Sequence, residues 1–432
     1  MHARHFISVP AVALLLAGSA HAQSLGGLFD QVVNEAKQKI KQKAMDAATR
    51  PDGTASSARD DDGSARRDAA QANAPAADDS TQTGIALPVP APKLPMAAAA
   101  SWGTAVVNAD GSVTAWPDQA DGQAVHVVLP RKAVDAAVHQ YTAFILLDDG
   151  TVMGLGQNTY QSLGRDGANT DTPVPIPGLR DIVHVVATYG HALALRSDGA
   201  VFAWGEDVDG LRGDLQGSHA PVTRVPGLPA VVQVATAARH SLALGQDGRV
   251  YAWGNNGHGE LGRGATGAPA APVPVPGLDD VIAIAAGLQT SLALKRDGSV
   301  WAWGSNQSAM LGNGGRGGSA SDGNAASPVP VTGVSGARQI VAGEGFALAL
   351  LADGTVRAWG FDGYGEIGVG TAGGYHASPT RIPTLAKVVN LNAGGYRVFA
   401  TTGDGRLWHW GTPIPVAPGH RPNVKVPVVL EP

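Results

Sequence analysis

Several residue types along the chain could do chemistry, and their spacing bounds what that chemistry is. Glu206, Asp207, Asp209 and Asp214 crowd a single Gly-containing stretch, and Glu260 and Glu366 stand in later stretches of the same kind. Paired carboxylates can act as acid and base in cleaving a glycan. The bland alternative is a set of solvated acidic loops. His191 and His240 are 49 residues apart, which would suit two ligands of one metal. No third ligand has a defined spacing, so structural hydrogen bonding is the expected role. Asp198, Asp247, Asp297 and Asp353 each precede a glycine. Turn chemistry explains that pairing without calcium. No catalytic residue, metal site or cofactor is assigned on these grounds.

These residues are positioned by a repeat. The stretch Ser197 to Gly205, SDGAVFAWG, returns as QDGRVYAWG (246–254), RDGSVWAWG (296–304) and ADGTVRAWG (352–360), with weaker copies at 109–116, 148–156 and 403–411. The glycines Gly111, Gly150, Gly199, Gly248, Gly298, Gly354 and Gly405 are spaced by 39, 49, 49, 50, 56 and 51 residues. A period near fifty means one supersecondary unit used repeatedly. Asp-Gly between alternating apolar runs signals a β-hairpin with a tight primed turn, since glycine takes positive φ without steric cost. Leu-Ala-Leu before the turn and Val-x-Ala-Trp after it are apolar on both sides, so both faces of each small sheet must be covered. Stacking identical sheets around a ring covers them. The spacing predicts an all-β, seven-bladed β-propeller of four-stranded antiparallel blades over residues 85–432.

Within a unit, a small-residue strand (Ile284-Ala285-Ala286-Gly287) precedes the hairpin. A Gly-rich loop (255–264) and a Pro-Val strand such as Pro272 to Leu278 follow it. Two strands compete to close the ring, Pro88-Val89-Pro90 and Val426 to Leu430. With the Ala-Ala-Gly strand, His240-Ser241-Leu242-Ala243-Leu244, Asp247-Gly248, Tyr251-Ala252-Trp253-Gly254 and Asn255 to Gly262, the chain resembles the regulator-of-chromosome-condensation repeat family. Units one and seven depart from its loop pattern. The resemblance implies a seven-bladed propeller that binds other proteins. The family includes exchange factors for small GTPases and secreted bacterial inhibitors of β-lactamase.

The N-terminus reads as an address. Arg4 and His5 precede an apolar run from Phe6 to Gly18, and Ala20-His21-Ala22 supplies small residues for cleavage before Gln23. Residues 1–22 are therefore expected to be a signal peptide, which implies export to the periplasm or beyond. Residues 23–49 read as a short amphipathic helix, with Leu25, Leu28, Phe29, Val32, Ala36 and Ile40 on one face. It would serve either as a solvated leader or as a dock for a membrane or a partner. Residues 50–84, rich in Asp, Ala and Ser, read as disordered linker. The chain has no cysteine, which excludes disulfides, thiolate metal sites and a lipid-modified N-terminal cysteine. Its net charge of -5 creates no field that would favour nucleic acid.

Connections alternate between the two faces of a meander, so the long loops share one face with the turn after the first strand. Trp102, Tyr141 and Tyr396 stand in one phase at that turn, with Tyr189, Arg239 and Arg397 close by in register. Aromatics with arginine compose a protein-binding hot spot or a sugar-stacking surface. The expectation is an exported non-enzymatic module binding a protein, or an envelope glycan, through this face. The alternative is a glycan hydrolase or lyase using the loop carboxylates.

Overall fold

The computed structural model describes residues 96–100, 103–117, 125–139, 141–214, 220–317, 323–414 and 422–430. The signal peptide, helix and linker expected over residues 1–84, the Pro88-Val89-Pro90 strand and Trp102 lie outside the described residues.

Four strands consecutive in sequence make each of seven antiparallel sheets. Their first strands, blade 1 to blade 7, are Met96–Ala100, Ala133–His139, Ile182–Thr188, Val231–Thr236, Val281–Ala286, Ala337–Ala342 and Val388–Gly394. Each first strand touches the next, and Val388–Gly394 returns to Met96–Ala100. The ring is closed, and the fold is a seven-bladed β-propeller. The closing clasp is the C-terminal one. Val424–Val429 pairs with Leu407–Gly411 (His409 with Val428, Trp408 with Val429) and completes blade 7.

The Leu-Ala-Leu strand shows why the blades stack. In His191–Arg196, Leu193 and Leu195 join Val231, Val234, Ala243 and Trp253 between blades 3 and 4. Ala192 and Ala194, on the other side of the same strand, face the interface with blade 2 beside Phe144, Leu146, Leu163 and Trp204. Large residues on one side meet small ones on the neighbour, which lets both sides pack densely. A buried cluster of this kind occupies every interface. The last, Val106 with Phe399, Leu407 and Ile414, joins blades 7 and 1.

The Asp-Gly turns differ in type from the primed turn expected. Gly199 has φ +84° while Asp198 is absent from the residues of positive φ. Arg196 and Ala200 pair through one 2.9 Å bond, and Gly199 N–H donates to the Arg196 carbonyl. This is a type I turn followed by a left-handed glycine. The reason lies in the aspartate, whose Oδ1 accepts the N–H two residues on, as Asp198 does from Ala200 at 3.0 Å. The same bond recurs at Asp110, Asp149, Asp247, Asp297, Asp353 and Asp404. The Asp-Gly turn docks on the start of the next blade's first strand, Val231 N–H donating to the Gly199 carbonyl at 3.0 Å, and Gly111, Gly150, Gly298 and Gly354 take the same bond.

Candidate functional site

The long loops of blades 2 to 6 share one frame. Each third strand runs out through Gly-x-Asx, the Asx being Asn158, Asp207, Asn256, Asn306 or Asp362. Its Oδ1 accepts the N–H five residues on, from Leu163, Arg212, Leu261, Leu311 and Ile367 at 2.8 to 3.1 Å. This curl presents the carbonyl of the residue in between to the next blade. There a buried indole donates to it: Trp204 to Ser162, Trp253 to Leu211, Trp303 to Glu260, Trp359 to Met310 and Trp410 to Glu366, at 2.7 to 2.9 Å. The loop face is thus a rigid scaffold, carrying variable side chains on a common backbone.

The turns after the first strands ring the central axis and enclose a mouth of about 110 Å³ on the loop side. Alanine, glycine and threonine line most of it, with His139, Tyr189 and Glu344. His139 is buried and neither ring nitrogen has a hydrogen-bond partner. Burial brings its pKa down to about 4, so it stands neutral.

Most of the loop carboxylates are engaged, either within their own loop or by the next blade. Asp207 accepts from Arg212 N–H at 2.9 Å and lies 3.4 Å from its guanidinium, which also holds Asp214 at 3.2 Å. Asp209 pairs with Arg239 of blade 4 at 3.2 Å and accepts from Asn255. Glu206 is partly buried, which pushes its carboxyl upward. Glu260 pairs with His258 at 3.2 Å; burial pushes its carboxyl upward, but that bond, the nearby His240 and the backbone N–H groups together bring it below the usual range. Glu366 occupies the same place in blade 6 but has Tyr364 where blade 4 has His258. Burial pushes it up to about 8, and its Oε1 has no partner. His191 and His240 act as clasps between blades. His191 Nε2 lies 2.5 Å from Thr236 Oγ1, and His240 Nε2 lies 2.9 Å from Ser291 Oγ. Among the described residues, no group of three or more His, Asp or Glu is placed to hold a metal ion.

The aromatic residues singled out from the sequence take different places. Tyr141 is exposed on blade 2. Tyr189 lines the mouth. Tyr396 packs against Tyr364 at 5.0 Å and Phe361 at 6.1 Å between ring centroids. Phe361 in turn meets Tyr375 at 5.5 Å. Arg397 turns inward, buried, and donates to the Pro413 carbonyl at 3.2 Å. Phe361, Tyr364, Tyr375 and Glu344 were missed from sequence. Their signal was departure from the repeat: Phe361 stands where the other blades have Gln157, Glu206, Asn255 and Ser305. Glu344 accepts a hydrogen bond from the Tyr396 hydroxyl, and burial together with that carboxylate raises the phenol's pKa.

The model of the RCC1-like domain matches residues 123–431. The chain belongs to the RCC1-like domain family. This RCC1-like chain is 39% identical over 88 residues to the mitochondrial RCC1 domain-containing protein RUG3 of Arabidopsis thaliana, covering 19% of this chain and 20% of that protein. It is 34% identical over 88 residues to the pim1 protein of Schizosaccharomyces pombe, covering 17% and 16% respectively. The matched stretch thus spans about a fifth of these relatives' own length. Among solved structures, human WBSCR16 has the same fold, with a TM-score of 0.63 at 24% identity, covering 72% of this chain and 84% of that one. Kap60-bound yeast RCC1 (Prp20) gives 0.61 at 26% identity, covering 70% and 75%.

Proposed function

We propose that this RCC1-like propeller is an exported, non-enzymatic binding module whose loop face engages a protein partner. One observation carries the reading. Most loop carboxylates are engaged by a group of their own loop or of the next blade (Asp207 and Asp214 by Arg212, Asp209 by Arg239, Glu260 by His258), while half-buried aromatic rings gather at the blade 6–7 edge of the face. That is the composition of a binding surface and not of an acid–base pair. Yeast RCC1 (Prp20) was crystallised bound to Kap60, and Prp20p was described with its binding properties to Gsp1p and histones. These relatives support a protein as the kind of partner and leave its identity open. Export rests on the leader at residues 1–22.

A pull-down from envelope extract tests the binding role, with a Trp102→Ala, Tyr141→Ala, Tyr396→Ala variant as the control. The expected result is a partner captured by the native chain and lost by the variant. Retention of every partner by the variant would remove the aromatic residues from the interface. N-terminal sequencing of exported protein should find Gln23 first; an unprocessed chain in the cytoplasm would overturn export.

A further inference from the structure

Blades 4 and 6 carry the same buried glutamate in the same loop position, and the comparison between them is informative. In blade 4, Glu260 Oε2 accepts the His258 N–H at 2.8 Å, and its Oε1 faces the His258 ring at 3.2 Å. That loop brings its own partner for both carboxyl oxygens. In blade 6, Glu366 Oε2 accepts the Tyr364 N–H at the same 2.8 Å. Here the ring that follows is a phenol, and Glu366 Oε1 is buried without a partner. A buried carboxyl oxygen left unmatched is costly unless something else meets it.

What surrounds it is suited to a cation. Tyr364 and Tyr396 cross edge to face at 5.0 Å, and Phe361 meets Tyr364 at 5.8 Å. All are only partly buried. Glu344, at the rim of the central mouth, holds the Tyr396 hydroxyl. Both Glu344 and Glu366 act electrostatically on Tyr364 and on Tyr396. A guanidinium already uses this cluster from outside: Arg316 of the blade 5 loop lies 3.5 Å above the Tyr375 ring. Aromatic faces backed by carboxylates attract ammonium and guanidinium groups more strongly than either element alone.

We propose that the blade 6–7 cluster of Phe361, Tyr364, Tyr396, Glu344 and Glu366 is a receptor for a lysine or arginine side chain carried by the protein partner. The inference deepens the binding-module reading and rests on it for the partner, while the receptor itself is testable without one.

The experiment titrates the full chain, with ¹³C-labelled tyrosine rings and at about pH 9, above the Glu366 pKa of about 8, against butylammonium as the probe and 1-butanol as its neutral isostere. Butylammonium should shift the Tyr364 and Tyr396 ring signals saturably, and butanol should not. The probe's dissociation constant should rise about tenfold in Glu366→Gln and in Tyr396→Leu, and stay within about twofold of native in Glu260→Gln. Glu344→Gln, at the partly exposed rim, serves if Glu366→Gln does not fold, which thermal melting reports. Equal shifts with butanol, no saturable shift with butylammonium, or native affinity in both Glu344→Gln and Glu366→Gln would overturn the receptor. A partner captured by the native chain and equally by Glu344→Gln and Tyr396→Leu would sink the receptor and leave the binding module standing. Saturable binding of butylammonium with no partner captured would do the reverse.

Discussion

The Trp303 indole donates a 2.7 Å hydrogen bond to the main-chain carbonyl of Glu260 in the preceding blade. Both groups are buried, and the bond joins the Ala-Trp strand of one repeat to the loop of the one before. Gly262 makes room for it: a Cβ there would fall 2.9 Å from Trp303 Nε1. The Trp and the Leu-Gly of the repeat are therefore two halves of one contact, made between neighbours and not within a blade.

Removing that contact should be expensive. Trp303→Phe strands the buried Glu260 carbonyl and leaves a cavity, and should lower the unfolding free energy by about 2 kcal/mol. Trp303→Ala should lower it by about 3–5 kcal/mol. Urea unfolding followed by far-UV circular dichroism measures both. An effect below about 1 kcal/mol for the alanine variant would show that the interface relaxes around the loss.

Glu366 and Glu260 should respond oppositely to neutralisation. Glu366 is raised from 4.5 to about 8 by burial, so its contribution is fully present below about 4.5 and is lost as pH rises through about 8. Glu366→Gln should therefore stabilise the fold at pH 8 by on the order of 2 kcal/mol and change little at pH 4. Glu260 is held low against burial by His258, His240 and backbone N–H groups, so its contribution is present above about 4.5 and is lost as pH falls. Glu260→Gln should destabilise at neutral pH. Denaturant titrations of both variants across pH check the pair, and like signs at pH 8 would refute the assignment.

His139 should make the propeller sensitive to acid. Burial depresses its pKa from 6.5 to about 4, so the unfolded chain takes up a proton that the folded one refuses. The stability it contributes is present above about 6.5 and is lost as pH falls through about 4. His139→Leu should raise stability at pH 5 by on the order of 1 kcal/mol relative to its effect at pH 8. Thermal melts at the two pH values read this, and an equal effect at both would show that His139 does not titrate differently on folding.

The ion pair between Arg239 and Asp209 is partly exposed. Arg239→Ala should change the unfolding free energy by less than about 1 kcal/mol. Any large loss of partner capture in that variant would then belong to the interface. Paired melting and pull-down measurements separate the two.

Much of the candidate site was hidden in the sequence for an identifiable reason. Tyr396 was legible as an aromatic in phase with other turns. Its contacts, Tyr364 and Phe361, belong to the preceding blade and lie 32 and 35 residues earlier. Arg397 read as a surface cation, yet it folds under its own blade to reach the Pro413 carbonyl. Side-chain direction at a turn depends on the neighbouring loops, which local spacing does not report.

By itself the sequence determined the repeat, the blade count and the strand order. Apolar residues on both sides of a short hairpin can be hidden only by stacking, and a period near fifty residues counts the copies. Tertiary structure alone decided that the C-terminal strand closes blade 7, that the aspartates cap type I turns, and which rings meet at the blade 6–7 edge. Those outcomes follow from contacts between segments distant in the chain, where burial and the neighbour's shape choose among conformations that local preference leaves equal.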